Sequence, residues 1–197
     1  MSLAFDIGQG AGVSGATGVR PFLPTLLTGA LATRNDGINF DRTSYAFLEH
    51  TWFLFLILVL AAVSYALSRR PPTPNRVPQQ WIARGTALIG IVLGALLFAG
   101  SLAAGGETSW WGLPAGAACA GLGYLTVAAV FARARRRVEA GAASLLDLYA
   151  DGIALVLAGV SLFVEPVGFA ALALFLVLLA RSRGEAAQKY GGLRILR

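Results

Sequence analysis

Residues 8–32 read GQGAGVSGATGVRPFLPTLLTGALA, and the architecture turns on this stretch. It is apolar enough to enter a bilayer, yet Gly8, Gly10, Gly12, Gly15 and Gly18 run into Arg20, Pro21 and Pro24. Glycine permits close backbone approach. Pro21 lacks an N–H and pushes Arg20 away from helical geometry. Broken backbone at membrane depth is tolerated where protein buries it or where it lines a wet cavity. An Arg at such a break is a candidate for a functional site. Equally open is a kinked packing helix whose glycines admit neighbours, with Arg20 snorkelling to an interface. The candidate substrate-binding residues are therefore Arg20 and Pro21, with Ser14, Gly15 and Gly18.

Apolar sequence extends on both sides of the break, from about 3 to 33. An unbroken helix of that length overshoots a hydrocarbon core of roughly 30 Å. The stretch is either one tilted, broken crossing or two half-helices, 5–18 and 21–33, forming a re-entrant hairpin. One broken crossing is favoured, because it lets every loop obey the charge rule set out below.

Composition agrees with a membrane location. The 197 residues are 56% hydrophobic and only 13% charged, with a mean hydropathy of +0.68, where soluble domains carry roughly 25% charged residues. A single integral-membrane domain over 1–197 follows, with apolar spans near 3–33, 51–68, 82–104, 112–132, 144–164 and 166–181. A Pro-rich connector occupies 69–81 and a basic tail 182–197. The net charge of +6 raises nucleic acid as a partner, but the arginines sit in short patches between apolar spans, where topology explains them. His50 is the only histidine and Cys119 the only cysteine, which leaves no His or Cys metal cluster, no disulfide framework and no internal Ser-His-Asp triad. No nucleotide or redox cofactor motif is present, no cofactor is expected, and the chain does not read as an enzyme. Asp6 and the lack of a basic start argue against a signal peptide.

Between the first two spans, RNDGINFDRTSYAFLEH contains the turn signal Asn35-Asp36-Gly37. Phe40, Tyr45, Phe47 and Trp52 read as interfacial anchors of a solvated loop, with Glu49 and His50 at the mouth of the next span as a lesser candidate for proton binding. Gly90-x-x-x-Gly94 and Gly112-x-x-x-Gly116 carry the spacing that lets helices pack backbone to backbone. The fifth span holds Asp147 and Asp151, four apart and so on one helix face. They are candidate counter-charges to Arg20 or proton-coupling carboxylates. The alternative for Asp147 is a simple complement to the positive helix start.

All Lys and Arg except Arg20, Arg34 and Arg42 fall in three segments, 69–84, 133–143 and 181–197. The positive-inside rule puts these in the cytoplasm. With six spans, both termini are then cytoplasmic in the inner (plasma) membrane. Six spans divide as three plus three of opposite sense, the geometry of an inverted repeat.

The stretch GVSGATGVRPFLPTLLTGALA resembles the opening of a bacterial family of small multispanning membrane proteins known as a domain of unknown function. The residues that carry the likeness are Gly12, Gly15, Gly18, Arg20, Pro21, Leu23, Pro24, Leu26, Leu27, Gly29 and Leu31, with Ser144, Leu145 and Asp147 later and KYGGLRILR at the end. The acidic pair of that family's late helix is not clearly matched here. The resemblance implies a multispanning all-α fold and no particular activity.

These readings converge on an all-α membrane protein with about six transmembrane segments. The leading functional expectation is a small transporter or channel for an anionic solute or lipid headgroup, since Arg20 and backbone N–H groups at a break suit an anion. The alternative is a structural or accessory subunit of a larger membrane complex. A membrane enzyme acting on lipid phosphates is the weakest reading. Expected partners are membrane lipids and either further copies of the chain or a membrane protein complex.

Overall fold

The computed structural model describes residues 3–68, 79–134 and 143–191. Among these the chain is all-helical, without strands. The helices are Leu3–Val19 (α1), Phe22–Ala32 (α2), Thr51–Ser68 (α3), Gln79–Ala104 (α4), Gly112–Ala134 (α5), Ala143–Phe163 (α6) and Glu165–Gly191 (α7). The helices from α3 onward follow the apolar stretches of the sequence, with two extensions. Helix α4 starts inside the expected Pro-rich connector, and α7 runs on into the expected basic tail. Residues 69–78 of that connector, the basic run 135–142 and the last residues of the tail lie outside the described residues.

Helix α1 is the centre. Every residue from 8 through 19 is buried, and α4, α5, α6 and α7 all pack on it. A helix of Gly, Ala, Ser and Thr is thin enough for this. A Cβ at Gly18 would fall on the backbone of Ala120, and one at Gly168 on the carbonyl of Gly8. The two small-residue spacings foreseen in α4 and α5 meet each other. A Cβ at Gly116 would lie 2.6 Å from the Gly94 carbonyl and the same distance from Phe98.

The break at Arg20-Pro21 reverses the chain. Along α1, Ser101 Oγ donates to Asp6 O (2.9 Å), Gln9 Nε2 to Leu162 O (3.0 Å) and Ser14 Oγ to Gly94 O (2.7 Å). At the far end Arg20 reaches Asp147 and Asp151. So α1 runs antiparallel to both α4 and α6. Helix α2 then returns: Leu27 comes up to Gly159, and Gly37 packs against Leu162 and Phe163. Gln9 Nε2 also donates to Gly37 O at 2.8 Å. A single continuous crossing would hold those two residues roughly 40 Å apart at 1.5 Å per residue. Residues 3–33 therefore form a hairpin, and the favoured single broken crossing is corrected. The physical reason is local. Helix α1 ends when Arg20 N–H takes the Ala16 carbonyl (3.0 Å), and Pro21 and Pro24 then fit only the first turn of a new helix.

The reversal also corrects the expected placement of both ends on one side. Leu3 and the C-terminal end of α7 lie at opposite ends of the bundle, because α7 runs parallel to α1, with Gly168 beside Gly8 and Phe175 beside Gly15. The triplets α2–α4 and α5–α7 do run in opposite senses. Their internal packing differs, however: within the first triplet α2 lies against α3, while within the second α5 lies against α7.

The turn Asn35-Asp36-Gly37 forms as its residue types demand, with positive φ at Asn35 and Gly37. Phe40 is 0% exposed and Leu48 1%, both packed against Gly100 of α4. Phe40 is thus part of the core and not an interfacial anchor, and residues 33–50 fold over the open end of the hairpin. Trp52 does lie exposed.

The polarity of the molecule is inverted relative to a water-soluble bundle. Gln9, Ser14, Thr17, Ser101, Thr126 and Ser161 are buried, while Phe55, Leu88, Val92, Ile153, Val156 and Leu174 are exposed. Among the described residues two helical stretches, Trp81–Ala104 and Ser109–Phe131, are long and apolar enough to cross a membrane. Helices Phe22–Ala32, Thr51–Leu67 and Pro166–Ser182 are apolar but shorter.

Replacing Gly18 with Val forces α1 off α5 and is expected to cost at least the ~1–3 kcal/mol of ordinary overpacking. Gly85→Ala, which meets nothing within 4 Å, is expected to be neutral or stabilising. Thermal unfolding of both variants in detergent checks the contrast.

Candidate functional site

The tip of the hairpin gathers charge. Arg20 ends α1, and Asp147 and Asp151 stand one turn apart on α6. Arg20 Nη2 lies 2.6 Å from Asp147 Oδ1 and 3.2 Å from the Asp147 carbonyl. Arg20 Nε lies 3.0 Å from Asp151 Oδ1, near enough for an ion pair although the N–H is not directed at it. The side chains are 31% exposed for Arg20, 47% for Asp147 and 32% for Asp151, so the cluster sits at an opening and not in a sealed core. Of the candidates read from sequence, these three come together.

The others serve packing. Ser14 is fully buried and its hydroxyl is spent on the Gly94 carbonyl. Gly15 faces the Phe175 ring and the backbone of Gly123, and Gly18 faces Ala120. Pro21 packs on Gly90, and its carbonyl accepts the Thr25 hydroxyl at 2.7 Å. None of these residues lines the opening at Arg20.

Arg20 thus faces carboxylates of two residues one turn apart on α6. Arg20 is already engaged, and Pro21 and Pro24 remove two of the N–H donors that a helix start would offer. Chemically the tip offers two carboxylates beside a guanidinium that is already engaged.

A second polar group lies at the opposite end of α1. Asp6 and Gln9, each 2% exposed, meet Ser101, 1% exposed. Sequence reasoning passed over them. The available signal was two polar residues three apart, hence on one face, inside an apolar stretch.

Near that end, Glu49 is 9% exposed and its Oε2 accepts the Phe40 N–H at 3.3 Å. Burial pushes the Glu49 carboxyl above its ordinary range; the Phe40 N–H pulls it back, the hydrogen-bonded Asp41 pushes it further up, and His50 pulls it down. The residue ties the Phe40 backbone down under the 33–50 segment. Among the described residues no group of three or more His, Cys, Asp or Glu gathers to hold a metal ion.

Comparison of the chain with family models, curated proteins and solved structures found no match in any of the three.

The raised Glu49 value sets a pH dependence. In the window from the ordinary carboxylate range up to its raised value, the folded state holds more protons than the unfolded one, so stability falls as pH rises. Glu49→Gln is expected to flatten this slope. Unfolding midpoints measured across that range for both proteins check it.

Proposed function

We propose that the protein is a small multi-pass membrane transporter in which the hairpin tip, with Asp147 and Asp151 beside Arg20, forms a cation- or proton-coupling site. The observation that carries this reading is that the carboxylates of Asp147 and Asp151 both lie within reach of the Arg20 guanidinium at the reversal of the hairpin.

Position adds weight. Trp81 is exposed and carries the Arg84 guanidinium over its ring at 5.3 Å, the mark of an interfacial anchor. The exposed, stacked pair Trp110 and Trp111 marks the other end. Pro21 packs on Gly90, which puts the tip about 13 Å inward from Trp81 along α4. Helix α2, with 11 residues, is about 16 Å long and too short to cross a core of roughly 30 Å. On this reading α3–α7 are five crossings and α1–α2 enters and leaves on one side. The basic segments all adjoin helix ends at the tip side. The positive-inside rule then makes that side cytoplasmic, with Leu3 facing out.

Ionisable groups at such depth are costly against lipid and mark ion or proton pathways. An opening filled with water from the cytoplasmic side, or an accepted cation or proton, removes the cost. Discontinuous helices with acidic partners near the middle of the membrane are how many transporters hold coupling ions.

The test is flux in proteoliposomes under an imposed membrane potential, with indicators for H⁺, Na⁺ and K⁺. Wild-type protein is expected to carry one of these ions above empty vesicles, Asp151→Asn to fall to background, and Arg20→Ala to lose control of the flux. Wild-type vesicles indistinguishable from empty ones for all three ions would overturn the reading. Reproducible co-purification of a partner protein would then favour the accessory-subunit alternative.

A further inference from the structure

The two aspartates at the hairpin tip are not held alike. Arg20 Nη2 donates to Asp147 Oδ1 at 2.6 Å and to the Asp147 carbonyl at 3.2 Å. Two contacts on one residue seat the guanidinium against that turn of α6. Asp151 is reached differently. Its Oδ1 lies 3.0 Å from Arg20 Nε, but Nε is a buried atom whose N–H finds no acceptor. The contact is an ion pair without a hydrogen bond, and among the described residues it is the one polar contact of the Asp151 side chain. Directed, charge-assisted hydrogen bonds are the strong ones. Asp147 is thus the anchor of Arg20, and Asp151 is the partner that can let go.

The surroundings narrow what Asp151 can take. The charged groups that act on it are Arg20 and Asp147. Helix α2, packed on α6, carries no ionisable residue. On α7, Arg181 is exposed and makes no ion pair with Asp151. A metal cation on Asp151 Oδ1 would stand close to the guanidinium and be repelled by it. Among the described residues no third carboxylate, His or Cys joins Asp147 and Asp151 to hold such an ion. A proton meets neither obstacle. It cancels the charge of Asp151 instead of adding one beside Arg20, and it leaves Arg20 hydrogen-bonded to Asp147. Like charges at this helical spacing repel, so neutralising Asp151 also relieves its contact with Asp147.

We infer that Asp151 is the proton-accepting carboxylate of the tip, that the coupled ion is H⁺ and not an alkali cation, and that Asp147 is the positioning residue that keeps Arg20 in place while Asp151 is neutral. Naming H⁺ as the coupled ion rests on the transport reading; the assignment of the proton to Asp151 does not. In the step, a hydronium ion in the opening gives its proton to an Asp151 carboxylate oxygen. An O–H bond forms, a water is left, and the ion pair with Arg20 Nε is lost. In the reverse step the Asp151 carboxyl returns the proton to water and the ion pair forms again.

The experiment is infrared pH-difference spectroscopy of the full chain in lipid, reading the carbonyl stretch of protonated carboxyls, together with the H⁺, Na⁺ and K⁺ flux assay. Asp151→Asn is expected to remove one component of that band and to abolish H⁺ flux. Asp147→Asn is expected to keep the component and to move its midpoint to lower pH by about one unit, because Arg20 is released toward Asp151 and a like charge is gone. In the wild type the component is expected to titrate at the same pH in NaCl, KCl and choline chloride. A band unchanged in Asp151→Asn, or a component that Asp147→Asn removes instead, would overturn the assignment. So would a wild-type midpoint displaced by Na⁺ or K⁺ relative to choline, a result that needs no variant to fold. Flux of Na⁺ or K⁺ without H⁺ would leave the transport reading standing and overturn this inference. No flux of any ion would overturn H⁺ as the coupled ion together with the transport reading, and the infrared component would still decide where the proton sits.

Discussion

The thinness of α1 is the constraint on which the arrangement depends. Four helices touch one, and that requires a central cylinder with almost no side chains. Gly12, Gly15 and Gly18 provide it on α1, and Gly94, Gly123 and Gly168 answer from the neighbours. Inside a bilayer there is no hydrophobic gain from bringing helices together, so close van der Waals contact and a few hydrogen bonds must hold them. The bonds are placed accordingly. Ser14 reaches across to α4, Gln9 to α6, and Thr126 from α5 to the Phe175 carbonyl of α7 at 3.2 Å. The bundle is closed by contacts that a thicker central helix would forbid.

The hairpin then fixes where charge can sit. Its tip is tied to α6 through Arg20. There the guanidinium lies within reach of two carboxylates one helical turn apart. The other end of α1 holds a second buried polar group, Asp6 with Gln9 and Ser101.

Much of the fold was legible in the sequence, and the failures have physical causes. The limits of α3, α5 and α6 follow from unbroken apolar runs bounded by turn residues. The Asn35-Asp36-Gly37 turn, the break at Arg20-Pro21 and the shared face of Asp147 and Asp151 follow from local chemistry. The direction of the chain after the break does not. A crossing and a hairpin differ only in parity, and the charge rule fixes parity only if the number of crossings is already known. Phe40 was misread because an aromatic residue in a polar segment looks the same whether it meets headgroups or a core. At the site, Arg20 read alone pointed to an anion. The spacing of Asp147 and Asp151 marked them as counter-charges to it, and the structure brings both within reach. Ser14, Gly15 and Gly18 looked like a binding loop because small residues serve close packing and ligand approach equally well.

The most direct test of this account is the distance between spin labels at Phe5 and Asp36, measured by double electron–electron resonance in lipid nanodiscs. The hairpin predicts a short separation, within about 20 Å for labels at the paired ends of two antiparallel helices. A separation of about 45 Å, the length of a helix continued through the break at 1.5 Å per residue, would contradict it.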